Sequence, residues 1–341
     1  MIETAQHPNF DKKLFMKHLS ILVPNGEGNN LSSIVGAYKI FTRANNYWQQ
    51  LGNAPNFQIQ LVGSTQTVNY YDGLFSVKPH THIDHISQSN LIIIPSLNHH
   101  FKDGINENKE LINWIAKQYK SGAEIASICT GAFLLAATGL IDGKVCSTHW
   151  SAAHNFRQMF PKVNLQTDNL ITDEAGICTN GGAYSFLNLM IYLVEKYFDR
   201  QTAVFCAKVF QIEMDRNNQS VFTIFTGQKQ HSDEMVLQAQ LFIEKNIEDK
   251  ISIEELSSKL NVGRRSFDRR FVKATGNTPI EYAQRVKIEA AKKAFETNRK
   301  TITEVMYEVG YTDVKAFREV FRKITGLSPL EYKRKYNKDT V

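Results

Sequence analysis

The chain holds 341 residues, too many for one hydrophobic core and comfortable for two domains. A hydrophobic content of 42% with 22% charged residues excludes wholesale disorder. The formal net charge of +6 is uneven: from Asp233 onward there are 22 Lys and Arg against 17 Asp and Glu, while the first 232 residues carry 18 against 17, which suits a polyanionic partner at the C-terminal end.

In chain order, residues 1–17 read as a polar extension without an apolar signal segment. Residues 18–23 read as a buried strand, and the turn-rich stretch Pro24 to Asn30 leads to a helix over 32–51. Strands are predicted at 57–62 and Leu91–Ile94. Leu111, Ile112, Ile115 and Tyr119 have helical spacing within 106–120. A small-residue and β-branched strand at 123–128 runs into a helix at Ala132–Ala137. A strand around Ile177 precedes an apolar helix at 183–197. Strands alternating with helices imply an α/β fold, doubly wound around a mainly parallel sheet.

Uninterrupted apolar runs such as Leu91–Ile94 are far too short to span a bilayer, so no membrane partner is expected. Cys129, Cys146, Cys178 and Cys206 form no C-x-x-C pair, which gives a zinc ribbon or dithiol motif no support. The expectation is a cytoplasmic protein with reduced thiols. His80, His82 and His85, with His99 and His100, fit no metal-ligand spacing and read as a solvated loop. Neither metal nor cofactor is expected. Residues 211–232 read as a polar linker, 233–336 as an all-α domain and 337–341 as a tail.

That helical domain is duplicated. Phe267, Phe271, Gly276, Pro279, Glu281 and Tyr282 recur as Phe317, Phe321, Gly326, Pro329, Glu331 and Tyr332 at an offset of 50. Ile253, Glu255, Leu256 and Leu260 recur as Ile302, Glu304, Val305 and Val309 at an offset of 49. The extra residue falls where each unit turns, as expected for a repeated helix-turn-helix. Ser252 with Glu255, Thr278 with Glu281, Thr301 with Glu304 and Ser328 with Glu331 are four capping-box patterns at matching places. Pro279 and Pro329 stand at first helical positions, where a missing N–H costs nothing.

In each unit the second helix has a phenylalanine pair four residues apart, so one face must be buried. In unit one this leaves Arg264, Arg265, Ser266, Asp268 and Arg269 for a DNA-facing surface. In unit two, after the turn Gly310-Tyr311-Thr312, it leaves Thr312, Asp313, Lys315, Arg318 and Arg322. Such faces suit the major groove of double-stranded DNA: Arg reads guanine edges, and other basic groups neutralise phosphate. A helical bundle with a solvated charged face is the alternative.

The run Phe317, Phe321, Gly326, Pro329 and Tyr332, preceded by Gly310-Tyr311, resembles the signature of AraC/XylS-type regulators over about 235–336. The resemblance implies two recognition helices in successive major-groove segments, joined by a helix around 282–295. Gly263 stands where that family often has a serine cap, which predicts a looser start to the first recognition helix.

Upstream, Cys129 lies on a predicted strand-to-helix turn, the setting of a nucleophile elbow, where a helix N-terminus favours the thiolate. His149, in Thr148-His149-Trp150, is the candidate base. Residues 18–210 resemble the DJ-1/PfpI branch of the class I glutamine amidotransferase-like superfamily, which implies a flavodoxin-like fold. Two departures stand out. Asn30, with Glu27 close by, occupies the loop where the group usually has an acidic residue. Pro95-Ser96-Leu97 replaces a Gly-Gly that would approach a ligand through backbone N–H groups. The expectation is therefore no catalysis, but a small-molecule pocket at the C-terminal sheet edge lined by Asn30, Ser96, Cys129, Thr130 and His149. A structural or dimerising domain, a redox-sensing Cys129 and a cysteine-dependent amidase, glyoxalase or protease-like enzyme are the alternatives. The whole chain then reads as a transcriptional regulator, with a homodimeric state, an effector and contact with RNA polymerase as further expectations.

Overall fold

The computed structural model describes residues 16–26, 29–97, 100–214, 219–229, 231–249, 251–297 and 299–337. Most of the expected extension, Glu27, His99 and residues 338–341 lie outside them. The chain divides into two compact units, Met1–Asn217 and Asn218–Val341.

The first unit is built from β1 (Lys17–Leu22), α1 (Leu31–Gln50), β2 (Phe57–Gly63), β3 (Val68–Tyr70), β4 (Phe75–Val77), β5 (Thr81–His82) and β6 (Leu91–Ile94). It continues with α2 (Phe101–Glu107), α3 (Lys109–Lys120), β7 (Glu124–Ser127), α4 (Ala132–Ala137), β8 (Val145–Cys146), α5 (Ala153–Met159) and β9 (Asn164–Leu165). The strands β10 (Ile171–Glu174) and β11 (Ile177–Asn180) and the helices α6 (Phe186–Tyr197) and α7 (Arg200–Phe210) complete it. The main sheet has the order β10-β11-β7-β6-β1-β2-β5, parallel except for the edge strand β10. This is the doubly wound, flavodoxin-like arrangement expected from the alternation of strands and helices.

Strand β6 shows why the middle of the sheet reads as a continuous apolar run. Leu91 and Ile93 face one core, and Ile92 and Ile94 face the other. A strand covered on both faces has no polar side to alternate with. Ile34, Ala37, Ile40, Phe41 and Ala44 of α1, together with α6 and α7, close the first core. Residues of α2, α3, α4 and α5 close the second.

The predicted helix over 106–120 is two helices, α2 and α3. Asn108 separates them, accepting from the Asn25 amide at 2.7 Å and donating to the Asn25 and Gly104 carbonyls. The helix predicted over 183–197 begins at Phe186, after one 3-10 turn. The strands β3, β4, β5, β8 and β9 span two or three residues each, too few to carry a readable period.

The second unit is helical: α8 (Glu234–Lys245), α9 (Ile253–Lys259), α10 (Arg264–Thr275), α11 (Pro279–Thr297), α12 (Ile302–Glu308), α13 (Val314–Thr325) and α14 (Pro329–Tyr336). Each repeat has its own core. Ile253, Leu256, Phe267, Phe271 and Tyr282 form one, and Val305, Met306, Phe317, Phe321 and Tyr332 form the other. Helix α11 serves both, giving Tyr282 and Ala283 to the first and Ile288, Ala291 and Phe295 to the second.

The stretch 211–232 is not linker throughout. Residues 219–229 belong to the helical unit, with Thr223 and Phe225 against α11. Phe225 N donates to Glu289 Oε2 at 3.0 Å, Thr223 O accepts from Lys292 Nζ at 2.5 Å, and the Phe225 ring meets Tyr282 edge-on. Backbone groups make most of these polar contacts, and a side-chain pattern carries no sign of them. Glu289 and Lys292 form a buried ion pair at 2.7 Å, and Phe225 N and Thr223 O give it further hydrogen bonds of the kind such a pair needs.

Candidate nucleic-acid interface and the Cys129 turn

Two helix-turn-helix units, α9–α10 and α12–α13, carry the candidate interface. Of the four expected capping boxes, three close in full and the one at Ser252 closes in half among the described residues. Thr301 and Ser328 make complete capping boxes with Glu304 and Glu331. Thr278 and Glu281 exchange the same pair of bonds, and Ser252 accepts from the Glu255 amide. Each of Glu281, Glu304 and Glu331 is held below the usual carboxylate value by hydrogen bonds to its cap residue.

The two second helices differ at their starts. Helix α13 is capped by Asp313, whose carboxylate accepts from Lys315 N at 2.8 Å. Helix α10 starts at Gly263, which offers no side-chain cap. The predicted weaker start to the first recognition helix therefore has a visible cause.

Phe267, Phe271, Phe317 and Phe321 are fully buried. Arg265, Arg269, Thr312, Lys315, Arg318 and Arg322 are exposed, and Ser266 is half-buried. Three of the candidates are engaged within the protein. Arg264 Nε donates to both carboxylate oxygens of Asp268, at 3.0 and 2.9 Å, and its Nη1 bonds Glu254. Arg264, braced by Asp268 four residues on, thus ties α10 to α9, and Asp313 is spent on a cap. Arg270, absent from the predicted set, pairs with Asp233 at 2.7 Å and ties α10 to the start of α8.

In the first unit, Cys129 stands one residue beyond β7, after Ile128, and has φ +54, a left-handed conformation uncommon for a residue with a side chain. A 3-10 turn, Cys129–Gly131, leads into α4. Gly131 is required there: a Cβ would stand 2.5 Å from the Pro95 carbonyl oxygen. This crossing brings four of the five predicted pocket residues to the C-terminal ends of β1, β6 and β7. Ser96 Oγ and Thr130 Oγ1 are 2.9 Å apart, and Asn30 N donates to the Ser96 carbonyl at 2.9 Å. Asn30 also caps α1 through Ser32 N, so its side chain has a structural task.

The Ser96 amide donates to Ser33 Oγ at 3.1 Å, so this N–H is already engaged where a ligand would need it. The fifth residue, His149, makes its hydrogen bonds with Ser151, its Nδ1 lying 2.7 Å from Ser151 Oγ. Burial holds His149 below the ordinary histidine value. No hydrogen bond joins it to Cys129 among the described residues. Thr148, which sequence reasoning did not single out, donates to the Cys129 carbonyl at 2.9 Å. Its place in the motif beside His149 was the available signal. Burial pushes the thiols of Cys146 and Cys178 up to about 12 and that of Cys206 up to about 11.

Residues 21–196 match the model of the DJ-1/PfpI family, and residues 256–335 match a helix-turn-helix domain. The chain is 26% identical over 222 residues to the HTH-type transcriptional regulator GbdR of Pseudomonas aeruginosa, covering 65% of this chain and 60% of that one. It is 25% identical over 213 residues to the HTH-type transcriptional regulator ArgR of the same species, covering 62% of this chain and 64% of that one. The chain thus aligns with less than two thirds of the length of these relatives. Among solved structures, a candidate transcriptional regulator from Vibrio parahaemolyticus superposes with a TM-score of 0.51 at 24% identity, covering 57% of this chain and 99% of that one, which supports the α/β fold.

Proposed function

Given that the chain belongs to the DJ-1/PfpI family and carries a matched helix-turn-helix domain, we propose that it is a sequence-specific DNA-binding transcriptional regulator of the AraC type. The observation that carries this is the pairing of two recognition helices. Each buries a phenylalanine pair and leaves exposed basic groups: Arg265 and Arg269 on α10, and Lys315, Arg318 and Arg322 on α13. The relatives named as HTH-type transcriptional regulators support it. Thr312 and Ser266 complete the DNA-facing set in this reading. Arg264, Asp268 and Asp313, engaged in bonds within the protein, support that surface rather than read bases.

The DJ-1/PfpI-like domain is the signal-receiving domain in this proposal, taking a small-molecule effector at the sheet edge around Ser96, Cys129 and Thr130. The protein acts as a cytoplasmic homodimer that engages RNA polymerase at its promoter. A non-enzymatic role is supported by His149, whose bonds go to Ser151, and by the Ser96 amide, already bonded to Ser33. The left-handed Cys129 favours a second reading, a cysteine-dependent enzyme with an appended DNA-binding module.

The test is binding of the full chain to duplexes selected from a random pool. Arg269→Ala and Arg318→Ala each weaken binding to the selected duplex by about 5- to 150-fold if they read bases, or lower the salt slope by about 1 if they hold phosphate. Unchanged affinity and slope for both variants would sink the interface. Turnover of amide or glyoxal substrates that disappears in Cys129→Ala would establish the enzymatic reading instead.

A further inference from the structure

Lys287 sits on the middle of α11, the helix between the two helix-turn-helix units, and is buried with 8% of its surface exposed. Its ammonium group has three N–H donors, and all three are used. Nζ donates to the carbonyls of Ile247 at 2.7 Å, Asp249 at 2.9 Å and Val309 at 3.0 Å. It also lies 5.7 Å from the centre of the Tyr311 ring. None of these hydrogen bonds goes to a carboxylate. Burial holds the ammonium below the ordinary lysine value, and the Asp249 charge opposes that shift.

The three carbonyls belong to both halves of the domain. Ile247 and Asp249 lie in the connection from α8 to α9, ahead of the first recognition helix. Val309 ends α12 and directly precedes the Gly310-Tyr311-Thr312 turn into the second. The same place explains Gly310. Its φ is +71, and a Cβ there would stand 2.4 Å from the Glu248 carbonyl oxygen and 2.5 Å from Lys287 Nζ. Backbone of the two repeats therefore approaches so closely around this ammonium that no side chain fits between.

The two repeats are joined through α11, so contacts between them limit the rotation of one against the other about its axis. A tether that grips both bodies away from that axis removes the rotation. We infer that Lys287 is a positioning residue that sets the phase between the two recognition helices, and through it the spacing of the two DNA segments the protein reads together. The inference rests on the DNA-binding reading above and adds the element that couples its two halves.

The experiment uses the full chain and the duplex enriched by the wild-type protein from a random pool. One base pair is added or removed between the two protected segments. Each base pair advances the second segment by about 3.4 Å and rotates it by about 35°. The wild-type protein loses affinity by about tenfold or more for either change, a cost comparable to one mismatched base pair. Lys287→Met binds the original duplex more weakly and discriminates among the three spacings by about twofold or less, because its two halves turn independently. Lys287→Arg, which keeps a buried cation with several donors, restores most of the discrimination. The salt dependence stays that of the wild type, since this lysine is buried away from phosphate.

A uniform loss that leaves the spacing preference of Lys287→Met as sharp as that of the wild type overturns the inference. So does a reduced salt slope, which would put the lysine on DNA. If Lys287→Met does not fold by circular dichroism, Lys287→Gln, with two donors, takes its place, and the same two results support or overturn the inference. Failure of the wild-type protein to enrich any duplex defeats the DNA-binding reading itself, and with it this inference. An unchanged spacing preference in Lys287→Met on an enriched duplex defeats this inference alone.

Discussion

The Tyr332 hydroxyl donates to Glu296 Oε1 at 2.5 Å, and in the other repeat Tyr282 donates to Glu244 Oε1 at 2.7 Å. Each tyrosine ring lies edge-on to the second phenylalanine of its recognition helix, Phe321 or Phe271. Burial and the neighbouring carboxylate push both phenols well above the usual tyrosine value. Each repeat thus closes its core with an aromatic body whose polar tip still finds a partner.

Removing that tip tests its worth. Tyr282→Phe and Tyr332→Phe each lower unfolding free energy by about 1 kcal/mol, the usual net value of one such bond, because the carboxylate left behind still reaches water. Chemical denaturation of the full chain reads this. A loss near the size of a core cavity would mean that the bond organises the whole repeat.

Gly263 permits a gain of stability. Its backbone is extended, with φ −64 and ψ 140, and a Cβ there meets nothing within 4 Å. Gly263→Ser supplies the missing cap and raises stability by a few tenths of a kcal/mol. The transition of the helical unit should shift to higher denaturant. A fall would show that the first recognition helix needs its loose start.

Acid should weaken the helical unit through its capping boxes. The carboxylates of Glu281, Glu304 and Glu331 are depressed in the folded state relative to the unfolded chain. Their contribution is complete above the ordinary glutamate value and is lost as pH falls through the lower folded values. Thermal melts from neutral to acid pH should show this decline, and Glu304→Gln should flatten part of it. An unchanged pH profile for Glu304→Gln would remove that box from the account.

Thiol labelling should discriminate among the four cysteines. All four thiols are buried, Cys129 with 5% of its surface exposed, and burial disfavours the thiolates of Cys146, Cys178 and Cys206. At about pH 8 these three should resist alkylation until the protein unfolds. Any rapid native-state labelling should therefore vanish in Cys129→Ala. Rapid labelling that survives this change would contradict the packing around β8, β11 and α7.

Much of the helical unit was legible in the sequence because its determinants are local. A phenylalanine pair four apart, a Ser or Thr three residues before Glu, and a proline at a first helical position act within one or two turns of chain. The duplication then showed each signal twice. The α/β unit was legible at the level of strands and helices, since β1, β6 and β7 stand out as short apolar runs and α1 is long enough to carry a helical period. Its short edge strands were not.

The partners of polar side chains were decided by tertiary structure. The Asn30 cap on α1 and the Arg264–Asp268 pair are local, two and four residues apart, but Glu254 meets Arg264 only because α9 packs against α10. The Ser96 amide meets Ser33 across 63 residues, and Lys287 meets carbonyls 40, 38 and 22 residues away. A hydrogen bond depends on where two backbones cross, and a crossing depends on the packing of every element between them. The sequence by itself determined that two helix-turn-helix repeats follow an α/β domain, because apolar spacing and capping are short-range. Only the folded chain decided which polar groups remain free for a ligand and which hold the repeats in phase, because a buried donor must be satisfied by whatever acceptor the fold brings near.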